Sequence, residues 1–256
     1  MRNVYPIFKR ECKAYFNSPI AYAVFAIFLV ISGYFFYSNV IFFSLMSFQM
    51  MQNPYLAEQL DMTEGVIRPL FGNVSVVLLL LTPLLTMRLI AEEKKTGTIE
   101  LLLTYPLKDI EVVLGKFLAC FFVFLVMLAL TFPCPLLLAL FGEPEIGPLL
   151  SGYLGLLLIG AAFIALGLFV SSLTENQIIA AAVSFGLLLL FWVIGWSSRF
   201  AGGELGLLLS RLSILEHFDN FAKGVIDTTD VAYYLVFTLF WIFLTLRSLE
   251  SVRWRG

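Results

Sequence analysis

Charge is what this sequence has least of. Only 13% of its 256 residues are Asp, Glu, Lys or Arg, about half the share in an average soluble domain. With 60% hydrophobic residues, that scarcity excludes an ordinary soluble globule. It indicates a chain that crosses a lipid bilayer several times. The three cysteines, Cys12, Cys120 and Cys134, are too few and too scattered for a disulfide framework or a thiolate metal site, and read as small apolar packing residues. The lone histidine, His217, lies beside Glu216 and Asp219 and reads as a polar surface residue. Met46, Met50, Met51 and Met62 lack the tight spacing of soft-metal ligands and read as gap-filling apolar contacts.

Other absences bound the function. A phosphate-cradling loop needs Gly-x-x-x-x-Gly-Lys-Ser/Thr. Here Gly115-Lys116 is followed by Phe117 and lacks the earlier glycine, so no nucleotide or other cofactor is expected in this chain. No nucleophile stands beside a base, so the chain reads as a non-enzyme. The apolar runs carry no interior carboxylate of the sort that proton- or sodium-coupled carriers use. A cleavable signal peptide is not expected, because the first apolar run is too long for one.

What is present is a set of membrane-length apolar runs. Six spans are expected at about 20–43, 71–91, 109–141, 148–171, 178–196 and 231–246, forming one all-α transmembrane domain over 1–256. Residues 1–18 alternate apolar and basic positions at helical spacing, as in a helix lying in the headgroup plane. Residues 44–70 read as an external loop with a surface helix, and 197–228 as an external amphipathic segment. Pro83 should kink the second span, and Pro133 with Pro135 should break the third. Gly152, Gly155, Gly160 and Gly167 give the fourth span the small residues that let helices approach closely in lipid. Thr174 with Gln177 fits a capping box for the fifth. With the N-terminus inside, twelve Lys and Arg fall on the inner side and four (Arg68, Arg199, Arg211, Lys223) on the outer. That asymmetry puts both termini in the cytoplasm.

The densely charged run is Arg88 to Lys95, followed by Thr96-Gly97-Thr98-Ile99-Glu100-Leu101-Leu102-Leu103-Thr104-Tyr105-Pro106. Gly97 should stop one helix and Pro106 the next. Between them, at 98–105, lie about two turns that are apolar yet outside the membrane. Two turns are not stable alone in water, so they need a protein surface. Thr98 suits an N-cap, and Glu100 the first turn near the helix dipole.

The pattern Ala-Glu-Glu-Lys-Lys-x-Gly-Thr-Ile-Glu-Leu-Leu-Leu-x-x-Pro resembles the signature of ABC-2 type (type-2 ATP-binding-cassette) transporter permeases. Phe8-Lys9-Arg10-Glu11, Tyr15 to Tyr22, and Glu216 to Asp227 add a likeness to gliding-motility-associated permeases. The resemblance implies a membrane-spanning permease subunit, usually of an exporter, in the bacterial inner membrane. The short helix would be the coupling helix, with Glu92, Glu93, Gly97, Thr98, Ile99, Glu100, Leu101, Leu102, Leu103, Tyr105 and Pro106 meeting a separate cytoplasmic ATPase subunit that binds ATP and Mg. A second permease copy or paralogue would complete a dimer in the lipid bilayer, and an extracytoplasmic accessory protein can join it; nucleic acid has no part. The competing reading is an ATP-independent secondary transporter or channel.

Glu11 stands apart. On a helical wheel it falls between Ile7 and Val4, inside the apolar face. A carboxylate there is costly unless paired. A buried ionic contact with Arg88 is expected, with Lys94, Lys95 or backbone N–H groups of the coupling segment as further candidates.

Overall fold

The computed structural model describes residues 3–52, 62–98, 108–141 and 145–253. The described residues are helical, without strands. Helix α1 (Val4–Phe16) ends at Asn17, whose N–H returns to the Lys13 carbonyl, and Pro19 opens α2 (Pro19–Gln52). Proline suits that place because its fixed φ is already helical and the first turn needs no N–H. Helix α2 continues well into the stretch expected as an external loop. No Gly or Pro lies between Ser44 and Gln52, and Met, Leu and Gln favour helix. A π-helical turn, Thr63–Ile67, leads into α3 (Arg68–Thr86), which contains Pro83. After an irregular stretch at 87–90 comes α4 (Ala91–Lys95).

Helix α5 (Asp109–Ala129) is parted from α6 (Pro133–Phe141) by a turn at 130–132. Helices α7 (Ile146–Leu173) and α8 (Gln177–Ala201) follow. The cap of α8 is Asn176, whose Oδ1 accepts from the Ile178 N–H at 2.9 Å; the Thr174 hydroxyl instead accepts from the Asn176 N–H. The expected Thr174–Gln177 box does not form, because Asn176 takes the cap position first. Two glycines at positive φ, Gly202 and Gly203, turn the chain into α9 (Gly203–Leu212). Helices α10 (Ile214–Ala222) and α11 (Thr228–Arg253) complete the described residues.

Among the described residues six helical stretches are long and apolar enough to cross a membrane: Pro19–Phe48, Thr63–Lys95, Asp109–Leu138, Ile146–Leu173, Gln177–Ser197 and Thr228–Ser251. The protein is a multi-pass membrane protein. Helix α7 is its axis, packed by α3, α5, α8, α10 and α11. Its glycines receive the neighbours' rings: Gly152 meets Phe71, Gly155 meets Phe221, and Gly160 meets Phe124. Lipid is as apolar as these side chains, so close packing and not water exclusion holds such helices together. A Cβ built on Gly155 would stand 2.6 Å from the Phe221 Cβ, too near for any side chain. The windows of α3 and α7 are 72% buried against 22% for α2 and α11, so the latter two form the outer wall. Helix α1 lies along α5: Ile7 seats against Gly115, and Phe8 meets Phe122 edge-on at 5.7 Å.

Candidate functional site

The charged run gathers where α1, α4, α5 and α7 meet. Helix α3 ends at Thr86, and the chain passes 87–90 without regular helix before α4 begins. The irregular stretch is held by Ser171, in the last turn of α7. Its hydroxyl accepts from the N–H groups of Ile90 and Ala91, both at 3.1 Å, and donates to the Met87 carbonyl at 3.0 Å. Lys94 donates from Nζ to the Ser172 carbonyl at 2.5 Å, where the exposed carbonyls of a helix C-terminus favour a cation. Helix α4 stops at Gly97, whose φ of +70° is open to glycine at little cost. The Thr98 hydroxyl turns back onto α4, 2.9 Å from the Thr96 hydroxyl.

On its other side α4 enters a ring of alternating charge. Glu93 accepts from Arg10 at 2.7 Å and lies 2.9 Å from Lys116 Nζ. Glu11 accepts from the same two cations, from Arg10 at 2.7 Å and from Lys116 at 3.1 Å. Two carboxylates and two cations close the ring without net charge. Lys116 is only 1% exposed, a position an ammonium can hold only with partners. Burial by itself would raise the Glu11 carboxyl, but Lys116 and Arg10 together outweigh it and hold the group below the ordinary carboxylate value. A cavity of about 380 Å³ opens beside the ring, with Arg88, Glu92 and Thr98 among its walls.

The contact expected between Glu11 and Arg88 is therefore replaced by one with Lys116. Arg88 instead lies over the Tyr15 ring, its guanidinium carbon 4.3 Å from the centroid, as a cation–π pair. The reason is local: the irregular stretch turns Arg88 toward Tyr15, whose hydroxyl is fixed on the Leu85 carbonyl at 2.7 Å. Lys94, also a candidate, is committed to α7. Ile99, Glu100, Leu101, Leu102, Leu103, Tyr105 and Pro106 lie outside the described residues. Glu92, Glu93, Gly97 and Thr98 are described, and the structure brings them beside Glu11 and Arg88.

At the opposite end of the bundle a second polar group joins α3, α10 and α11. Arg68 bonds Glu64 at 2.7 Å and Asp219 at 2.9 Å, and Lys223 pairs with Asp219. His217 is not the loose surface residue expected. Its Nδ1 lies 2.6 Å from Asp230 Oδ1, its Nε2 3.1 Å from the Arg211 carbonyl, and its ring stacks on Tyr233 at 4.0 Å. Asn220 donates to the other Asp230 oxygen at 2.8 Å. Among the described residues no group of three His, Cys, Asp or Glu is arranged to hold a metal. At both ends the charged and polar groups are paired between helices.

No curated protein matches the chain significantly. A protein-family model described as "ABC-2 family transporter protein" matches residues 5–247. Members of that family are membrane components without a nucleotide-binding domain of their own, and they generally work with an ATPase subunit in a lipid bilayer. With six apolar helices and a match over nearly its whole length, this chain belongs to the ABC-2 family of transporter proteins.

Proposed function

We propose that the chain is the permease subunit of an ABC exporter, driven by a separate cytoplasmic ATPase that docks on the coupling segment at 92–106. The observation that carries this reading is the double anchorage of α4. A five-residue helix just outside a span would ordinarily fray. Here it is tied to α1 and α5 through Glu93 and to α7 through Lys94. A segment so tied, followed by a glycine stop and the apolar run Leu101-Leu102-Leu103, suits a lever pressed by a partner. In this reading the α4 end faces the cytoplasm, as the Lys and Arg asymmetry supports. Two permeases form the pathway, and the partner binds ATP and Mg. The likeness at Tyr15 to Tyr22 and at Glu216 to Asp227 supports the gliding-motility-associated subgroup, in the bacterial inner membrane, with room for an extracytoplasmic accessory protein.

Co-purification tests the proposal. The tagged chain, extracted from native membranes, should bring an ATP-binding-cassette ATPase with it and should not hydrolyse ATP without it. Leu102→Asp combined with Leu103→Asp should insert normally and lose the ATPase. A wild-type chain that brings down no ATPase, or a double variant that retains it fully, would overturn the docking account.

A further inference from the structure

We infer that Ser171 is a positioning residue for coupling: its hydroxyl is wedged into a gap in a helix ladder and hands movement of the coupling segment to α7 instead of along α3. The inference rests on the docking reading above. In an unbroken helix the Ala91 N–H would bond the Met87 carbonyl, four residues back. Both groups instead meet one oxygen, Ser171 Oγ, at 3.1 Å and 3.0 Å, and the Ile90 N–H meets it too at 3.1 Å. The hydroxyl thus accepts twice and donates once, its full capacity. A side chain inserted into the ladder is a recognised cause of a helix break. Here the inserted group comes from another span, so the break is also a joint between two helices. Ser171 is fully buried, so these bonds are shielded from bulk solvent.

The neighbouring contacts point the same way. Lys94 holds the Ser172 carbonyl at 2.5 Å, and Ser248 of α11 reaches that carbonyl at 3.4 Å. The segment 87–95 therefore meets the end of α7 twice, through backbone groups at Ser171 and through the Lys94 side chain at the Ser172 carbonyl, and α11 shares the second point. Into the break α3 accepts the Met87 N–H at the Pro83 carbonyl, at 2.9 Å, and the Leu89 N–H at the Thr86 carbonyl, at 3.1 Å, and the ladder resumes with the Glu92 N–H on the Arg88 carbonyl at a long 3.4 Å. The Thr86 hydroxyl is turned back onto its own helix, toward the Thr82 carbonyl. Because α7 packs on five other helices, a displacement delivered to its end reaches the whole bundle. Delivered along α3, it would first have to cross the break.

The experiment uses the complex of permease and ATPase in lipid nanodiscs, with Ser171→Ala, Lys94→Met and a control, Ser151→Ala. The control removes an equally buried hydroxyl, one that donates to the Phe221 carbonyl at 2.7 Å at the other end of α7. Ser171→Ala should keep the bound ATPase in wild-type amount. It should raise amide exchange over 87–95 about tenfold and cut permease-dependent stimulation of the ATPase several-fold. Lys94→Met should cut stimulation with less change in exchange, and it carries the test if Ser171→Ala does not accumulate. Ser151→Ala should leave both readouts at wild type. Wild-type stimulation in Ser171→Ala or in Lys94→Met, or an equal loss in Ser151→Ala, would overturn the inference. If the wild-type chain holds no ATPase, the docking reading fails. The exchange measured on the permease alone then still decides whether Ser171 holds the break: unchanged exchange in Ser171→Ala sinks it.

Discussion

The two ends of the bundle are both tied by ion pairs, but the ties differ in reach. At the α4 end every member of the ring bonds across helices: Arg10 and Glu11 stand on α1, Glu93 on α4, and Lys116 on α5. At the α10 end, two of the pairs, Glu64–Arg68 and Asp219–Lys223, join residues one turn apart. Burial differs too. Lys116 is 1% exposed and Glu11 13%, whereas Asp219 is 41% exposed and Glu64 54%. Local, wet pairs chiefly firm up the helix they sit on. Buried pairs between helices fix those helices relative to one another, at a desolvation cost that makes each partner indispensable. The α4 end is a joint between helices throughout; at the α10 end that role falls to Arg68–Asp219 and to the buried His217–Asp230 pair, beside two local pairs.

The sharpest way to break this comparison is to remove one cation from each end. Lys116→Met leaves Glu11 and Glu93 with Arg10 alone, and should cost about 3–5 kcal/mol in unfolding of the detergent-solubilised protein. Arg68→Met should cost no more than about 1 kcal/mol. Equal losses would mean that burial does not distinguish the ends.

His217 tests whether the α10 end has one strong joint of its own. His217→Phe keeps the stacking on Tyr233 but strips Asp230 of a charge-assisted bond, which should cost about 1.5–3 kcal/mol. Hydrogen exchange should rise in α9 and α10 and stay unchanged in α4. A rise confined to α4 would contradict the separation of the two ends.

Acid gives a smaller effect with a definite sign. The Glu11 carboxyl is held below its ordinary value of 4.5. The unfolded chain therefore takes up a proton first as pH falls. The stabilisation from Glu11 is full above the ordinary value and is lost as pH drops through the lowered one. Thermal midpoints measured from about pH 6 to pH 3 should show an acid-side fall that Glu11→Gln flattens. An identical profile in that variant would remove Glu11 from the ring. Smallest of all is salt. Asp219 is also held low, burial being outweighed by Lys223 and Arg68, but its pairs are wet. About 1 M NaCl should weaken them by tenths of a kcal/mol while leaving Lys116 indifferent.

Much of the fold was legible in the sequence because its signals are local. Apolar run length marked six spans, two prolines marked the gap between α5 and α6, and Gly97 marked the end of α4. The long α2 was missed because Ser44 to Gln52 carries enough Ser and Gln to read as the start of an external loop, though nothing in it stops a helix. At the site, Glu11 announced its need of a partner by sitting on an apolar face. The partner was not legible, since Lys116 lies 105 residues away and looked like the debris of a phosphate loop. A lone lysine within an apolar run was the available signal. Arg88 seemed the natural partner until the break turned it away, and the break is bridged by Ser171, 80 residues from Ala91. Two serines closing an apolar helix give only a faint hint of such a role.

The placement of α7 also bears on how the protein is made. Its heaviest packing is with α11, which is made after it, including Phe169 against Trp241 at 5.1 Å. Spans enter the membrane in the order of synthesis, so α7 is inserted while the helix that covers one of its faces is still unmade. The glycine face toward α3 and α5 can close at once; the face toward α11 waits until α11 itself has been made. Truncation after α10 would leave an inserted but unfinished bundle, one that membrane quality control could recognise by its bare central helix.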